Sequence, residues 1–156
     1  MENPNDWARL QCAIDIAHEA HAGQTDKAGE PYIYHVLRVG MSLLPDVDAA
    51  VVGLLHDVIE DSPGPPNFRR PILEIGYHTW EAILDLTRSP MQLYDDYIAC
   101  VNRSELARKV KLADLRDNQD LDRQKRAIAN GADPDKIREL QVRYAKAIID
   151  LETGPL

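Results

Sequence analysis

The chain has 156 residues, 44% hydrophobic and 28% charged, with a formal net charge of −8. That length and composition suit one globular domain whose core needs no disulfide or metal staple. The negative balance argues against a nucleic-acid partner, because the positive field that draws phosphate backbones is missing. No apolar run approaches the roughly 20 residues of a membrane span.

The opening stretch MENPNDWARL is acidic and polar, with no basic segment followed by an apolar one, so no secretory signal is expected. Over residues 6–22, Trp7, Leu10, Ala13, Ile14 and Ala17 recur at helical intervals and predict an amphipathic helix ending near Gly23. GQTDKAGEP reads as a loop, Pro31 opens a second helix that runs to about Leu44, and Pro45 breaks it. With Asp46 or Asp48 as cap, DAAVVGLLHDVIED forms a third helix, apolar nearly all round and therefore central in a bundle.

Residues 62–71 hold four prolines and a glycine, which gives a loop of the kind that can cover a site. A short helix over 71–76 and another from about Thr79 to Thr87 follow. Ser89-Pro90 reads as a cap and first-turn proline of a helix through Val101. Residues 104–129 form one long or two broken helices behind Ser104, and Gly131 with Asp133-Pro134 separates them from a last amphipathic helix over 134–151. No strand-period segment competes. The expected fold is all-α, a single compact helical domain over 1–156 with a central apolar helix carrying the His56-Asp57 pair. Cys12 and Cys100, isolated in apolar helical contexts, read as free buried thiols and point to a cytoplasmic protein.

The chemistry concentrates in AAVVGLLHDVIED, where His56 and Asp57 interrupt the apolar run and Glu60 and Asp61 follow at four-residue spacing. Burying an imidazole and three carboxylates on a core helix is costly unless a cation compensates, and a divalent ion is the simplest compensation. His35 on the second helix and Asp114 on the 104–129 segment lie beside core-facing positions and complete a candidate set. Two imidazoles and two carboxylates suit Mn²⁺ or Fe²⁺ and leave room for water and substrate, whereas the lack of thiolates argues against structural zinc. Such an ion lowers the pKa of a coordinated water and polarises a phosphoryl oxygen. Glu60 or Asp61 can orient that water or carry a proton, and Lys27, Lys109, Lys111 and Arg116 are near enough in sequence to offset phosphate charge.

The order AHAGQTDKAGEPYIYH (20–35), GLLHDVIEDS (53–62) and VKLADLRDN (110–118) resembles the HD hydrolase domain of the RelA/SpoT family, particularly its small stand-alone versions. ILEIGYHTWEAILDLTRSP and YDDYIACV extend the likeness to about residues 7–121. The resemblance implies a metal-dependent hydrolase that removes the 3′-pyrophosphate of guanosine tetra- and pentaphosphate, with Mn²⁺ as cofactor and a small-molecule nucleotide as partner. It assigns His35, His56, Asp57 and Asp114 to the metal, Glu60 and Asp61 to catalysis, and Lys27 and Asn118 to the substrate. Arg88, in a family-like position, and Lys111, by its nearness in sequence to Asp114, are read as further substrate contacts. Asp26 stands where the family carries an arginine, and ADLRDN replaces ADRLHN. Two alternatives stand beside this reading: an HD hydrolase of another nucleotide or phosphate ester, and a catalytically degenerate nucleotide-binding module. His18 and His21 have a spacing compatible with a metal but no flanking carboxylate, and His21 reads as a structural hydrogen bonder. His78 reads as a surface helix start, and Arg69-Arg70 as a solvated pair that could reach substrate phosphate if its loop folds over the cleft. Asp95-Asp96 and the rest of the Asp114–Asp122 cluster apart from Asn118 read as solvated.

Overall fold

A computed structural model describes residues 4–60 and 68–154. Among these the elements are α1 (Pro4–Ala20), α2 (Ile33–Ser42), α3 (Val47–Leu55), α4 (Arg69–Ile75), α5 (Tyr77–Leu86), α6 (Tyr94–Val101), α7 (Glu105–Asn118), α8 (Leu121–Ala129) and α9 (Pro134–Glu152). The only pairing of strand type among the described residues is an isolated bridge between Thr25 and Pro31. The fold is all-α, as the periodicity predicts. No helix of the described residues is long and apolar enough to cross a membrane.

α3 is the centre. Residues 49–55 are all buried, and α1, α2, α5 and α7 pack around them. Asp46 caps the helix by accepting from the backbone N–H of Ala49 at 3.1 Å. α3 stops at Leu55, several residues earlier than expected, because the His56 imidazole donates through Nδ1 to the Gly53 carbonyl at 2.8 Å. A side chain thus takes the acceptor that the Asp57 amide would use, and the amide after it, Val58 N–H, reaches Leu55 O at 3.1 Å in a tighter turn rather than Leu54 O. The HD pair therefore sits at the end of the central helix and in the turn beyond it.

α2 crosses α3 at a pair of glycines. A Cβ on Gly40 would lie 2.6 Å from Leu54 Cγ, and one on Gly53 would lie 2.8 Å from Leu43 Cδ1 and 3.1 Å from Gly40 Cα. Only hydrogen side chains permit this approach, which brings α2 and its His35 against the end of α3.

Several boundaries differ from expectation. The buried face of α1 is Leu10, Ala13, Ile16, Ala17 and Ala20, while Trp7 is exposed. Ser89 opens a turn closed by Gln92 N–H to Ser89 O at 3.0 Å, so Pro90 serves a turn and α6 begins only at Tyr94. Ser104 caps α7 by accepting from Ala107 N–H. The 104–129 segment breaks at Gln119-Asp120, where Asp120 caps α8 by accepting from Arg123 N–H at 2.7 Å. α8 ends in a Schellman turn: Gly131 has φ +96°, Ala132 N–H reaches Ala127 O and Gly131 N–H reaches Ile128 O, both at 3.0 Å. The predicted loop at 62–71 falls largely on residues 61–67, outside the described residues, and its end, 69–71, forms the first turn of α4. Both cysteines are free, as expected, but they are not buried: Cys12 is half-buried and Cys100 faces outward on α6.

Gly53→Ala forces a methyl group into the α2–α3 crossing. It is expected to lower the unfolding free energy by about 1–3 kcal/mol, read by urea denaturation. A curve matching the parent would show that the crossing relaxes freely.

Candidate metal centre

Three helices converge on one point. His35 projects from the first turn of α2, His56 and Asp57 from the end of α3, and Asp114 from the last turns of α7. The Nε2 atom of His35 is 3.2 Å from Asp114 Oδ1 and 3.7 Å from Asp57 Oδ2. That of His56 is 3.0 Å from Asp57 Oδ2 and 3.7 Å from Asp114 Oδ1. The imidazole centroids are 5.3 Å apart with planes at 68°. His35, His56 and Asp114 are 4%, 2% and 3% exposed, so these are core groups rather than a solvated acidic patch.

Hydrogen bonds hold every member of the set in place. His35 Nδ1 donates to Asp117 Oδ2 at 2.7 Å, and His56 Nδ1 donates to Gly53 O at 2.8 Å. These contacts keep a proton on each Nδ1, so both Nε2 atoms are turned to the centre. Asp114 accepts from Lys111 Nζ on Oδ2 at 2.8 Å and from Asn118 Nδ2 on Oδ1 at 2.6 Å, and Asp57 Oδ2 accepts from the Tyr32 hydroxyl at 2.6 Å.

The residues fit a divalent ion. One ligand atom each from His35, His56 and Asp57 lies within 4.8 Å of the others, and Asp114 Oδ1 adjoins both imidazoles. His56 Nε2 is buried and has no hydrogen-bond partner, an atom that a metal ion would satisfy. Two imidazole nitrogens and two carboxylate oxygens form a donor set for a first-row divalent ion.

The electrostatics carry the same signature. Burial works against charge on every member, yet the Asp57 and Asp114 carboxylates beside it hold His56 well above its ordinary imidazole value. His35 is raised, burial again being outweighed by Asp114 and Asp117. Burial is outweighed at Asp57 by His56, and at Asp114 by Lys111 and both imidazoles, so each carboxyl is held below the usual range. Carboxylates this deep need cationic neighbours.

Beside the centre lies a cavity of about 350 Å³, a size suited to a small molecule. His35 and Tyr32 form part of its wall together with Lys27, Asn118, Arg123 and Tyr144. Its rim includes the 26–30 loop, which Asp26 closes by accepting from the N–H groups of Ala28 at 2.8 Å and Glu30 at 2.9 Å. Asp26 is therefore an organiser of the loop. Asn130 Nδ2 donates to the Ala28 carbonyl and fastens the loop to the end of α8.

The remaining predicted site residues fall in different places. Lys27 and Asn118 line the cavity, although the Asn118 amide is spent on Asp114. Glu60 is exposed and accepts from the Arg88 backbone N–H on Oε2 at 3.2 Å. Because α3 has ended, Glu60 does not stack on His56 as helical spacing implies. Arg88 is half-buried. Lys111 lies behind Asp114, 5.4 Å above the Tyr97 ring. Asp61 lies outside the described residues. His21 is buried, with Nδ1 bonded to Gln24 Oε1 at 3.0 Å, and His78 is a surface group paired with Asp48 at 3.2 Å.

Sequence reasoning passes over Tyr32, Asp117 and Arg123. Asp117 is expected to be solvated, but its side chain is only 13% exposed and meets His35, Arg38 and Arg123. The usable signal is spacing, since Tyr32 precedes His35 and Asp117 follows Asp114 by three residues.

No family model matches the chain. Curated relatives share a segment with it. The bifunctional (p)ppGpp synthase/hydrolase SpoT of Escherichia coli K12 is 47% identical over 58 residues, which is 35% of this chain and 8% of that protein. The guanosine-3′,5′-bis(diphosphate) 3′-pyrophosphohydrolase of Borreliella burgdorferi is 45% identical over 53 residues, 32% of this chain and 8% of that protein. The Aquifex aeolicus protein of the same name is 39% identical over 62 residues, 38% of this chain and 9% of that protein. The matched segments thus span less than a tenth of these relatives. A solved structure, a metazoan ortholog of SpoT that hydrolyzes ppGpp and plays a role in starvation responses, superposes with a TM-score of 0.70 at 21% identity, over 95% of this chain and 88% of that one. In sequence over a third of its length, and in fold over nearly all of it, the chain resembles RelA/SpoT-type hydrolases.

Lys111→Met leaves the Asp114 carboxylate buried without its cation. The metal-free protein is expected to lose about 3–5 kcal/mol of stability in urea denaturation. Unchanged stability with a raised KM would instead make Lys111 a substrate contact.

Proposed function

We propose that this chain is a metal-dependent HD phosphohydrolase, one domain over 1–156, that removes the 3′-pyrophosphate of guanosine tetra- and pentaphosphate in the cytoplasm. The observation that carries the reading is the meeting of two imidazoles and two carboxylates from three helices at the wall of a cavity that also presents Lys27 and Arg123. The names of the relatives supply the substrate class. The four ligands are His35, His56, Asp57 and Asp114, and the donor set together with the resemblance favours Mn²⁺, with Fe²⁺ next. When bound, such an ion supplies Lewis acidity to a phosphoryl oxygen and lowers the pKa of water.

The chain's own residues do the rest. His35 and His56 turn Nε2 to the centre because their Nδ1 protons are committed elsewhere, and each releases its Nε2 proton when an ion is bound. Lys27, exposed on the cavity wall, offsets phosphate charge, and Asn118 holds Asp114 beside the nucleotide. Glu60, oriented by the Arg88 N–H, takes the proton of the attacking water. That water forms a bond to the phosphorus attached to the ribose 3′ oxygen, the P–O3′ bond breaks, and the 3′ oxygen leaves with a proton as the hydroxyl. Asp61 pairs with Glu60 in this role, on the strength of the resemblance.

A second reading has one observation in its favour. The residue where the family carries an arginine is Asp26, and its carboxylate is used to close the 26–30 loop. Loss of a planar cation there favours a nucleotide or phosphate ester recognised without stacking on arginine.

The test is turnover by the Mn²⁺-loaded chain against ppGpp, pppGpp and a panel of other nucleotides. Release of pyrophosphate from the guanosine substrates alone supports the first reading, turnover of other substrates the second, and binding without turnover marks a degenerate module. His56→Ala and Asp57→Ala are expected to lose ion and activity together. Glu60→Ala is expected to keep the ion and lose about 10²-fold or more in kcat; full activity would remove Glu60 from the proton path.

A further inference from the structure

We infer that Asp117 is the positioning residue that orients the His35 ring and strengthens it as a metal ligand. The inference rests on the metal reading above and adds a residue that the motif does not single out.

The two imidazoles are held differently. His56 donates to a neutral acceptor, the Gly53 carbonyl at 2.8 Å, whereas His35 donates to a carboxylate, Asp117 Oδ2 at 2.7 Å. Both contacts keep the proton on Nδ1 and turn Nε2 inward. A charged acceptor also raises the basicity of the ring it holds, which strengthens His35 as a donor.

Asp117 is itself fixed. Arg38 donates from Nε to Oδ1 at 2.7 Å and from NH2 to Oδ2 at 3.2 Å. Arg123 NH1 is 2.8 Å from Oδ2, and its NH2 donates to the Asp117 carbonyl at 2.7 Å. Arg38 lies three residues beyond His35 on α2, and Arg123 comes from α8, so the carboxylate on α7 is tied from both neighbours. A carboxylate that only closed a surface ion pair would need one cation and no imidazole. This one has two cations behind it and a ligand ring in front. The two guanidiniums also offset the charge that Asp117 adds beside Asp57 and Asp114.

The experiment compares the full chain with its Asp117→Ala and Asp117→Asn variants. Mn²⁺ affinity is read by titration calorimetry, and the His35 and His56 tautomers by ¹⁵N NMR of the metal-free proteins at alkaline pH. Asp117→Ala is expected to weaken Mn²⁺ by about 10–100-fold and to let His35 drift from the Nδ1–H tautomer, with His56 unchanged. Asp117→Asn keeps a neutral acceptor and should fall between Ala and the parent. Variants that bind Mn²⁺ like the parent, with the His35 tautomer intact, overturn this inference and leave the metal reading standing. A parent that binds no Mn²⁺ overturns both.

Discussion

Burying two imidazoles and two carboxylates where three helices meet imposes a strict charge balance, and most of the surrounding structure answers it. Asp114 and Asp57 cannot remain ionised in the core without cations against them. Lys111 supplies one from behind Asp114, and the raised imidazoles supply more. Neutral donors complete the shell: the Tyr32 hydroxyl on Asp57 and the Asn118 amide on Asp114. The Nδ1 contacts and the Lys111 ion pair occupy outward atoms, while Tyr32 and Asn118 hold in place Asp57 Oδ2 and Asp114 Oδ1, the oxygens that converge with both Nε2 atoms. A divalent ion is the species that satisfies such a set with one charge centre.

The same arrangement explains how an acidic chain can accept an anionic ligand. A net charge of −8 spreads a repulsive field over the surface. At the cavity that balance is offset: Lys27 and Arg123 line its wall against Asp26 and Asp120, and a divalent ion at the centre would add positive charge. The cavity shares His35 and Tyr32 with the metal centre, so whatever occupies it lies directly against the ligand set.

Much of this is legible in the sequence, for identifiable reasons. The apolar run of 49–55 marks the central helix because a helix apolar on all sides has only one stable place in a bundle. His56 and Asp57 stand out for the same reason: charge within that run demands compensation. The caps at Asp46 and Ser104 are local side-chain-to-backbone bonds and are readable from spacing. What escapes is decided by tertiary contact. Nothing in VGLLHDVIED announces that the His56 imidazole will capture the Gly53 carbonyl and end the helix. Ser89-Pro90 suits a turn as well as a cap, and only packing chooses. Asp117, among several acids in 114–122, carries only the weak signal of its spacing from Asp114, and its role is decided by facing His35 across an 82-residue separation.

Gly53 joins the fold to the chemistry more tightly than any ligand does. Its missing side chain admits α2, and its carbonyl fixes the orientation of His56. Laboratory evolution toward heat resistance, which commonly gains from replacing helical glycine with alanine, has no freedom at this position. A library built on this chain should hold residues 40 and 53 constant and seek its gains on the outward faces of α8 and α9, where neither the seam nor the imidazoles would register the change.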